Sequence, residues 1–275
     1  MFTLKSKERN LHINKPVVMG IINITPDSFY AESRQQTIDA ALRKTETMLR
    51  EGALIIDIGG QSTRPQSILI KQDEELARVT PVIEKIKKEF PDCFISIDTF
   101  YATVARKAVE HGADIVNDIS GGILDTAMIS TVANLQVPFV CMHMKGTPQT
   151  MQQLTQYKNV TQEVKLFLEE RIKTCEEAGI NDIIIDPGFG FAKNIEQNFT
   201  LFKNLSTFKT LQKPLLLGIS RKSMIYKFLN IQPEESLNGT TALHALGLLN
   251  GADILRVHDV KEAVQVIALI EKYLQ

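Results

Sequence analysis

The segment HGADIVND at residues 111–118 decides the fold, because close copies of it recur at three other places along the chain. The copies are EGALIID at 51–57, AGINDIIID at 178–186 and NGADILRV at 250–257. In each segment a helical pattern ends, a glycine follows, and a short apolar run begins. Glycine commonly follows the last turn of a helix, because it adopts the left-handed backbone conformation found there. The repeat therefore predicts helices that alternate with buried strands.

Eight apolar runs are predicted as strands. Their apolarity is continuous, which is typical of strands buried on both faces of a parallel sheet. Helical patterns separate them, for example over residues 37–50, 73–90 and 161–178. We predict one (β/α)8 TIM barrel over residues 1–275, with residues 1–15 as a hairpin-like extension that closes the barrel bottom. The predicted strands are 17–22, 53–59, 94–99, 114–118, 138–143, 182–188, 214–220 and 253–259.

Composition excludes several classes of protein. The chain has 275 residues, 44% of them hydrophobic and 23% charged, and a net charge of −1, which are ordinary globular values. Near-neutral charge argues against a nucleic-acid or membrane surface. No apolar stretch approaches the roughly 18–20 residues of a membrane span, and charges occupy the place of a secretory signal's apolar region. The three cysteines lack zinc-site spacing, which favours a reducing cytoplasm.

Polar residues follow the predicted strands, at the end of a barrel where active sites lie. Asp98, Asn117 and Asp186 form a set rich in hydrogen-bond acceptors. Arg64, Arg256 and His258 form a cationic rim, and Lys222 lies between the two sets. Buried without partners, such groups would cost roughly 1–3 kcal/mol each, so they need something to bind. The two sets together suit a ligand with an N–H-rich head and an anionic tail.

Single residues in this pattern have simpler interpretations as well. Asp118 and Asp259 are predicted as caps, and the segment Asp259 to Glu262 has capping-box spacing. His143 is either a packed, hydrogen-bonded histidine or a ligand. Asp57 lies inside a strand, where a structural hydrogen bond is expected, and Lys222 could instead form a structural salt bridge.

Eight motifs together identify a family. The sequence resembles dihydropteroate synthases, because these motifs occur in the family's order, one at each strand end. The resemblance implies a transferase of folate biosynthesis that joins 6-hydroxymethyl-7,8-dihydropterin diphosphate to p-aminobenzoate and releases pyrophosphate. It also implies a dissociative mechanism, in which pyrophosphate leaves before the amine attacks. The motifs are MGIINITPDSF, DIGGQSTRP, SIDT, VNDIS, MHMKGTPQTMQ, DPGFGFAKN, GISRKSM and RVHDVKEA.

The resemblance implies a role for each matching residue. The implied pterin pocket consists of Asp98, Asn117, Met142, Asp186 and Lys222. The implied diphosphate site, where Asn23 shares Mg²⁺ with the diphosphate, consists of Asn23, Thr63, Arg64, Arg256 and His258. The implied p-aminobenzoate walls are Phe29, Pro65, Phe191, Lys222 and Ser223, although Phe191 could be plain core. The implied catalytic residues are Asp98, Asp186, Lys222, Arg256 and Asn23.

The family resemblance also implies partners, and two departures from its pattern leave alternatives open. We expect competition by sulfonamides, a homodimer, and no nucleic-acid or membrane partner. The family's Asp-Gly-Gly is replaced by Ala31, Glu32 and Ser33, and Gln61 replaces a glutamate. Because Ser33 stands at capping-box spacing from Gln36, we expect an earlier helix start and a stiffer lid. A pterin-binding methyltransferase and a non-catalytic pterin-binding homologue stay as alternatives.

Overall fold

Eight parallel strands form the centre of the molecule, as predicted. The structure, a computed structural model, describes residues 1–24, 31–61 and 69–275, with the backbone only for 31–35. Neighbouring strands follow the order β8-β7-β6-β5-β4-β3-β10-β9. The strands are β3 (Val17–Asn23), β4 (Ile55–Gly59), β5 (Phe94–Asp98), β6 (Ile115–Asp118), β7 (Phe139–Met142), β8 (Ile183–Asp186), β9 (Leu216–Leu217) and β10 (Ile254–Val257).

A single bridge brings the two ends of this sheet together. Ile185 pairs in parallel with Leu215, and the Ile185 N–H donates to the Pro214 carbonyl at 2.9 Å. The sheet is therefore a nearly closed barrel, and the TIM-barrel prediction is confirmed. That residues 1–275 form one domain stays a prediction.

Helices connect successive strands on the outside of the barrel. They are α1 (Ala31–Glu51), α2 (Gln72–Glu89), α3 (Ala102–Glu110), α4 (Met128–Leu135), α5 (Val160–Glu177), α6 (Ile195–Lys203), α7 (Ser223–Leu229), α8 (Leu237–Leu249) and α9 (Val260–Leu274). Short 3-10 segments occupy Met151–Gln153, Leu205–Leu211 and Pro233–Ser236. The four junction glycines, at positions 52, 112, 179 and 251, have φ between 92° and 115°. This left-handed geometry is why the junction recurs with glycine. Within the described residues, no helix combines the length and apolarity that crossing a membrane requires.

The N-terminal extension is an antiparallel hairpin of β1 (Phe2–Ser6) and β2 (Arg9–Ile13). Its buried residues Leu4 and Ile13 pack against apolar side chains from the first half of the barrel strands. These include Met19, Ile55 and Ile184, each at most 1% exposed. The hairpin thus packs on the apolar end of the barrel, and the predicted hairpin-like extension is confirmed.

Two of the three expected helix caps are absent as capping bonds, and the third, Ser33, lies inside its helix. Helix α1 begins at Ala31, so the earlier start is confirmed, but Ser33 lies inside the helix and is not its cap. Asp259 makes no side-chain capping bond, because its carboxylate accepts from Nη2 and Nε of Arg221 at 2.7 and 2.9 Å. Asp118 caps no helix either. It accepts from the N–H groups of Ser120 and Gly122, both at 2.7 Å, and so shapes the loop after β6.

Candidate active site at the barrel mouth

A row of inward-facing positions crosses four strands at the carboxyl end of the barrel. Asn23, Gly59, Asp98 and Asn117 are successive partners in register from β3 to β6. Gly59 leaves a gap in this row. A Cβ placed on it would lie 3.5 Å from Asn23 Oδ1 and 3.7 Å from Asp98 Oδ2. The exposed amide of Asn23 and the buried carboxylate of Asp98 therefore border the same space.

Arg256 rises from β10 into the centre of the barrel. Its Nε donates to Asp57 and its Nη2 to Asp98, both at 2.6 Å. Asn117 donates to both oxygens of Asp57 at 3.3 Å, so the expected structural role of Asp57 is confirmed. The sequence placed Arg256 in a cationic rim. The structure instead places it between two carboxylates that largely neutralise it.

These contacts shift the pKa values of Arg256 and Asp98. Burial opposes the charge on Arg256, but Asp57 and Asp98 outweigh burial and raise the pKa of Arg256 further. Burial raises the pKa of Asp98 to about 7, although Arg256 acts in the opposite direction. Asp98 therefore changes charge near neutral pH. A pKa this high is unusual for a carboxyl group and is common at functional sites.

Buried Asp186 and half-buried Lys222 lie on the other side of the mouth. A Cβ placed on Gly218 would lie 3.6 Å from Asp186 Oδ2 and 3.9 Å from Lys222 Nζ, so Gly218 keeps this space open. Asp186 accepts from the Gly188 N–H at 2.7 Å, and Lys222 donates to the Phe189 carbonyl. Burial raises the pKa of Asp186 and lowers that of Lys222 to about 8, while each opposes the shift of the other.

An apolar cluster lines the wall beside this pair. Phe191 is 8% exposed and packs in a cluster with Met142, Phe100 and Met151. Lys222 Nζ lies 4.8 Å from the Phe191 ring centroid, within the range of a cation–π contact. Phe191 is therefore part of a packed cluster, and its role as a wall of the p-aminobenzoate site stays a prediction.

His258 lies at the end of β10 and bonds to Ser220. Its Nδ1 is 3.1 Å from Ser220 Oγ, which also accepts from the His258 N–H at 3.2 Å. Burial, Arg256 and Lys44 lower the pKa of His258 to about 4. At neutral pH His258 is thus an uncharged hydrogen-bonding group, whereas the sequence suggested a cation.

Four predicted site residues, Phe29, Thr63, Arg64 and Pro65, lie outside the described residues. Ser223 is half-buried and begins α7 directly after Lys222. Gln61 Oε1 accepts from the Ile70 N–H at 2.9 Å, so this side chain joins the two described ends of the 61–70 segment.

Sequence reasoning missed two residues that the structure places beside the site, Lys44 and Lys193. Lys193 stands in the motif DPGFGFAKN and is 3% exposed, and its Nζ lies 3.0 Å from His143 Nδ1. His143 is thus the packed, hydrogen-bonded histidine, and not a residue facing a ligand. The position of Lys193 within an apolar, glycine-containing motif could have indicated a buried lysine. Such a lysine needs partners for its charge, because lysine is rarely fully buried without them.

Comparison with known proteins agrees with this geometry. The model of the family "Pterin binding enzyme" matches residues 19–258. The dihydropteroate synthase of Escherichia coli strain K12 is 41% identical over 264 residues, which is 95% of this chain and 93% of that protein. That of Bacillus subtilis is 42% identical over 94% of this chain and 89% of that protein.

Solved structures give the same result. The Yersinia pestis dihydropteroate synthase with a sulfonamide drug superposes with a TM-score of 0.92 at 38% identity, covering 99% of both chains. The Xanthomonas albilineans enzyme in complex with 7,8-dihydropteroate has a TM-score of 0.88 at 36% identity, again over 99% of both chains. The residue motifs, the barrel and these likenesses lead to one conclusion: the chain belongs to the pterin-binding enzyme family.

Proposed function

We propose that the protein is an enzyme of folate biosynthesis that catalyses the dihydropteroate synthase reaction. It joins 6-hydroxymethyl-7,8-dihydropterin diphosphate to p-aminobenzoate and releases pyrophosphate. The observation that carries the proposal is that buried Asp186 and half-buried Lys222 both border the space at Gly218. They offer one acceptor and one donor, side by side, to a flat heterocycle. Relatives about 41% identical over 95% of the chain carry the name of this activity.

The pterin ring is proposed to bind on the floor of the mouth. Its adjacent N–H groups can donate to the Asp186 carboxylate, while Lys222 donates to the ring carbonyl. Asn117, which its bonds to Asp57 hold in place, supplies an amide able to donate and accept. Met142 neighbours Asp186 across β7 and β8 and packs on the ring.

The diphosphate is proposed to bind at the opposite side, near Asn23, Arg256 and His258, together with Thr63 and Arg64. A guanidinium carries five N–H groups, so Arg256 can donate to an oxyanion while it stays bound to Asp57 and Asp98. Neutral His258 contributes a hydrogen bond rather than a charge.

The proposed mechanism is dissociative. The bond between the pterin methylene carbon and the diphosphate oxygen breaks, and its electron pair stays with the departing pyrophosphate. Asn23 and Arg256 stabilise the charge that develops on that oxygen. The Asp98 and Asp186 carboxylates stabilise the cationic pterin methylene. The amine of p-aminobenzoate then forms the carbon–nitrogen bond and releases one proton to solvent, so no side chain acts as a covalent nucleophile.

The p-aminobenzoate site is proposed beside Phe191, Lys222 and Ser223, with Phe29 and Pro65. Phe191 offers a ring face, and the Ser223 hydroxyl can donate to the substrate carboxylate. Sulfonamides are proposed to compete here. The Yersinia pestis relative was solved with a sulfonamide drug and a Xanthomonas albilineans relative with 4-aminobenzoic acid.

Mg²⁺ is proposed at Asn23. Among the described residues there is no group of three or more His, Cys, Asp or Glu side chains that could hold a metal ion by themselves. The single exposed amide oxygen of Asn23 fits Mg²⁺ nonetheless, because this ion commonly takes one or two protein ligands, substrate phosphates and water. When bound, the ion would neutralise charge on the leaving pyrophosphate.

We also propose a homodimer and a cytoplasmic location. Helices α7, α8 and α9 carry exposed apolar side chains, among them Phe228 at 62%, Leu246 at 49% and Leu269 at 71% exposure. Where such residues form a contiguous patch, they commonly mark a protein interface. The three cysteines are buried and unpaired, as expected in a reducing compartment.

Pyrophosphate release tests the proposed function. Purified protein is assayed with both substrates and Mg²⁺, next to Asp186→Ala, Lys222→Ala and the surface control Lys173→Ala. We expect both mouth variants to lose about 10²–10³-fold in kcat/KM, and the control to equal the wild type. Wild-type release no faster than in the mouth variants would refute the synthase, and would favour a methyltransferase or a non-catalytic pterin-binding protein.

A further inference from the structure

We propose that Lys193 is a positioning residue that holds the loop of residues 187–192 against β7 and thereby sets the affinity for p-aminobenzoate. The inference rests on the proposed synthase function. The residue contacts no proposed substrate position, so it would act through the loop.

The contacts of Lys193 account for all of its hydrogen-bonding capacity. Its Nζ donates to the Gly188 carbonyl at 2.8 Å and to the Phe191 carbonyl at 3.0 Å. The third contact, at 3.0 Å, is His143 Nδ1. Burial lowers the pKa of Lys193 well below its ordinary value, and Asp186 opposes that shift. In its protonated form the amine has three N–H groups, which match the three acceptors here. Burial and the neighbouring Lys193 lower the pKa of His143 well below its ordinary value, so its ring is neutral and able to accept through Nδ1.

The loop needs such support because its backbone is unusual. Gly188, Gly190 and Ala192 have φ of 70°, 82° and 51°. A Cβ placed on Gly188 would lie 2.0 Å from the His143 carbonyl oxygen, so the loop packs directly on the end of β7. Asn198 fixes the other side, since its Oδ1 accepts from the Gly190 N–H at 2.7 Å. Lys193 binds the carbonyl groups of Gly188 and Phe191, which lie on either side of the Gly190 N–H that Asn198 holds.

The same loop presents groups to the substrate site. The Phe189 carbonyl accepts from Lys222, and the Phe191 ring lies 4.8 Å from Lys222 Nζ. Lys193 therefore holds the loop from the barrel side, and Lys222 contacts it from the mouth side. Lys193 slightly opposes the burial that raises the pKa of Asp186, the proposed pterin acceptor, but Asp186 lies in β8 itself and the sheet holds its position. Losing Lys193 should consequently affect p-aminobenzoate more than the pterin.

The variant Lys193→Met tests this, because it keeps the length and removes the donors. We expect the KM for p-aminobenzoate and the inhibition constant of a sulfonamide to rise about tenfold, and the KM for the pterin diphosphate to change less than about twofold. Asn198→Ala, which loosens the other anchor, should shift the same constants by a smaller factor. Val109→Ala is the matched control, because it removes buried volume in α3, far from the loop.

Two outcomes would overturn the proposal. Either both KM values rise equally in Lys193→Met, or only its thermal stability falls, as in the control. If Lys193→Met does not fold, an unchanged p-aminobenzoate KM in Asn198→Ala decides against it. A wild type without turnover contradicts the proposed function instead, and binding of sulfonamide to wild type and variants by calorimetry then tests the loop.

Discussion

The two halves of the barrel interior use the same strands for different purposes. In β8, Ile184 and Asp186 point inward two residues apart and are 0% and 5% exposed. In β5, Phe94 and Asp98 show the same change from apolar to charged, with Ser96 between them. The lower half joins the N-terminal hairpin in an apolar cluster, whereas the upper half holds charges that balance one another. Similar burial thus serves folding at one end and chemistry at the other.

The clearest way to break this division is to remove the cation of the upper half. Arg256→Met would leave Asp57 and Asp98 buried without their shared partner. We expect kcat/KM to fall by about 10³-fold and the free energy of unfolding to fall by about 3–5 kcal/mol. Pyrophosphate release and urea unfolding measure the two losses.

A double variant separates these effects. Adding Asp57→Leu to Arg256→Met removes one uncompensated charge, so part of the stability should return while activity does not. An unchanged melting temperature in Arg256→Met would show that the carboxylates do not depend on it.

A substitution in the lower half should reduce stability and leave substrate binding unchanged. Leu4→Ala removes a side chain 2% exposed from the hairpin that covers the barrel bottom. We expect the free energy of unfolding to fall by about 2–4 kcal/mol, with both KM values unchanged. The half-buried Leu11→Ala should cost less. A change in KM for either substrate in Leu4→Ala would mean that the two halves are coupled.

Much of this division could be predicted from the sequence. Continuous apolar runs located all eight strands, and the polar residue after each run located the mouth, because both depend on local chain pattern. The predicted capping role of Asp259 was wrong for a physical reason. Capping-box spacing is local, but Arg221 offers that carboxylate two charge-assisted hydrogen bonds, which are stronger than one bond from a helix N–H.

Pairings between residues far apart in the chain could not be predicted from the sequence. Arg256 meets Asp57 from 199 positions away, and Lys193 meets His143 from 50 positions away. Nothing in the spacing of these residues marks them as partners, since they become neighbours only when distant segments of the chain are placed side by side in the sheet. The prediction that His258 carries a positive charge was wrong for a similar reason. Burial near Arg256 and Lys44 lowers its pKa, and Lys44 is distant from it in the sequence.

The upper half should also make activity depend on pH. Asp98, with a pKa of about 7, must be ionised to stabilise the cationic pterin, so kcat/KM should fall below that pH. Lys222, with a pKa of about 8, must be protonated, so kcat/KM should fall above that pH. Each limb should approach about tenfold per pH unit, and Asp98→Asn should lose the acidic limb. A flat profile between about pH 5.5 and 9 would contradict these assignments.

The smallest expected effect lies in the loop that follows β8, at the mouth of the barrel. Ala192 has φ of 51°, a left-handed conformation that costs a residue with a Cβ about 1 kcal/mol or more. Glycine removes this strain but gains freedom in the unfolded chain, so Ala192→Gly should stabilise the protein by about 0.5 kcal/mol. Ala105→Gly, inside helix α3, is the matched control and should destabilise it by about 1 kcal/mol. Opposite signs in urea unfolding would show that the backbone angle, and not the lost methyl group, decides the result. Equal destabilisation would mean that the buried Ala192 side chain contributes more by packing than its backbone costs by strain.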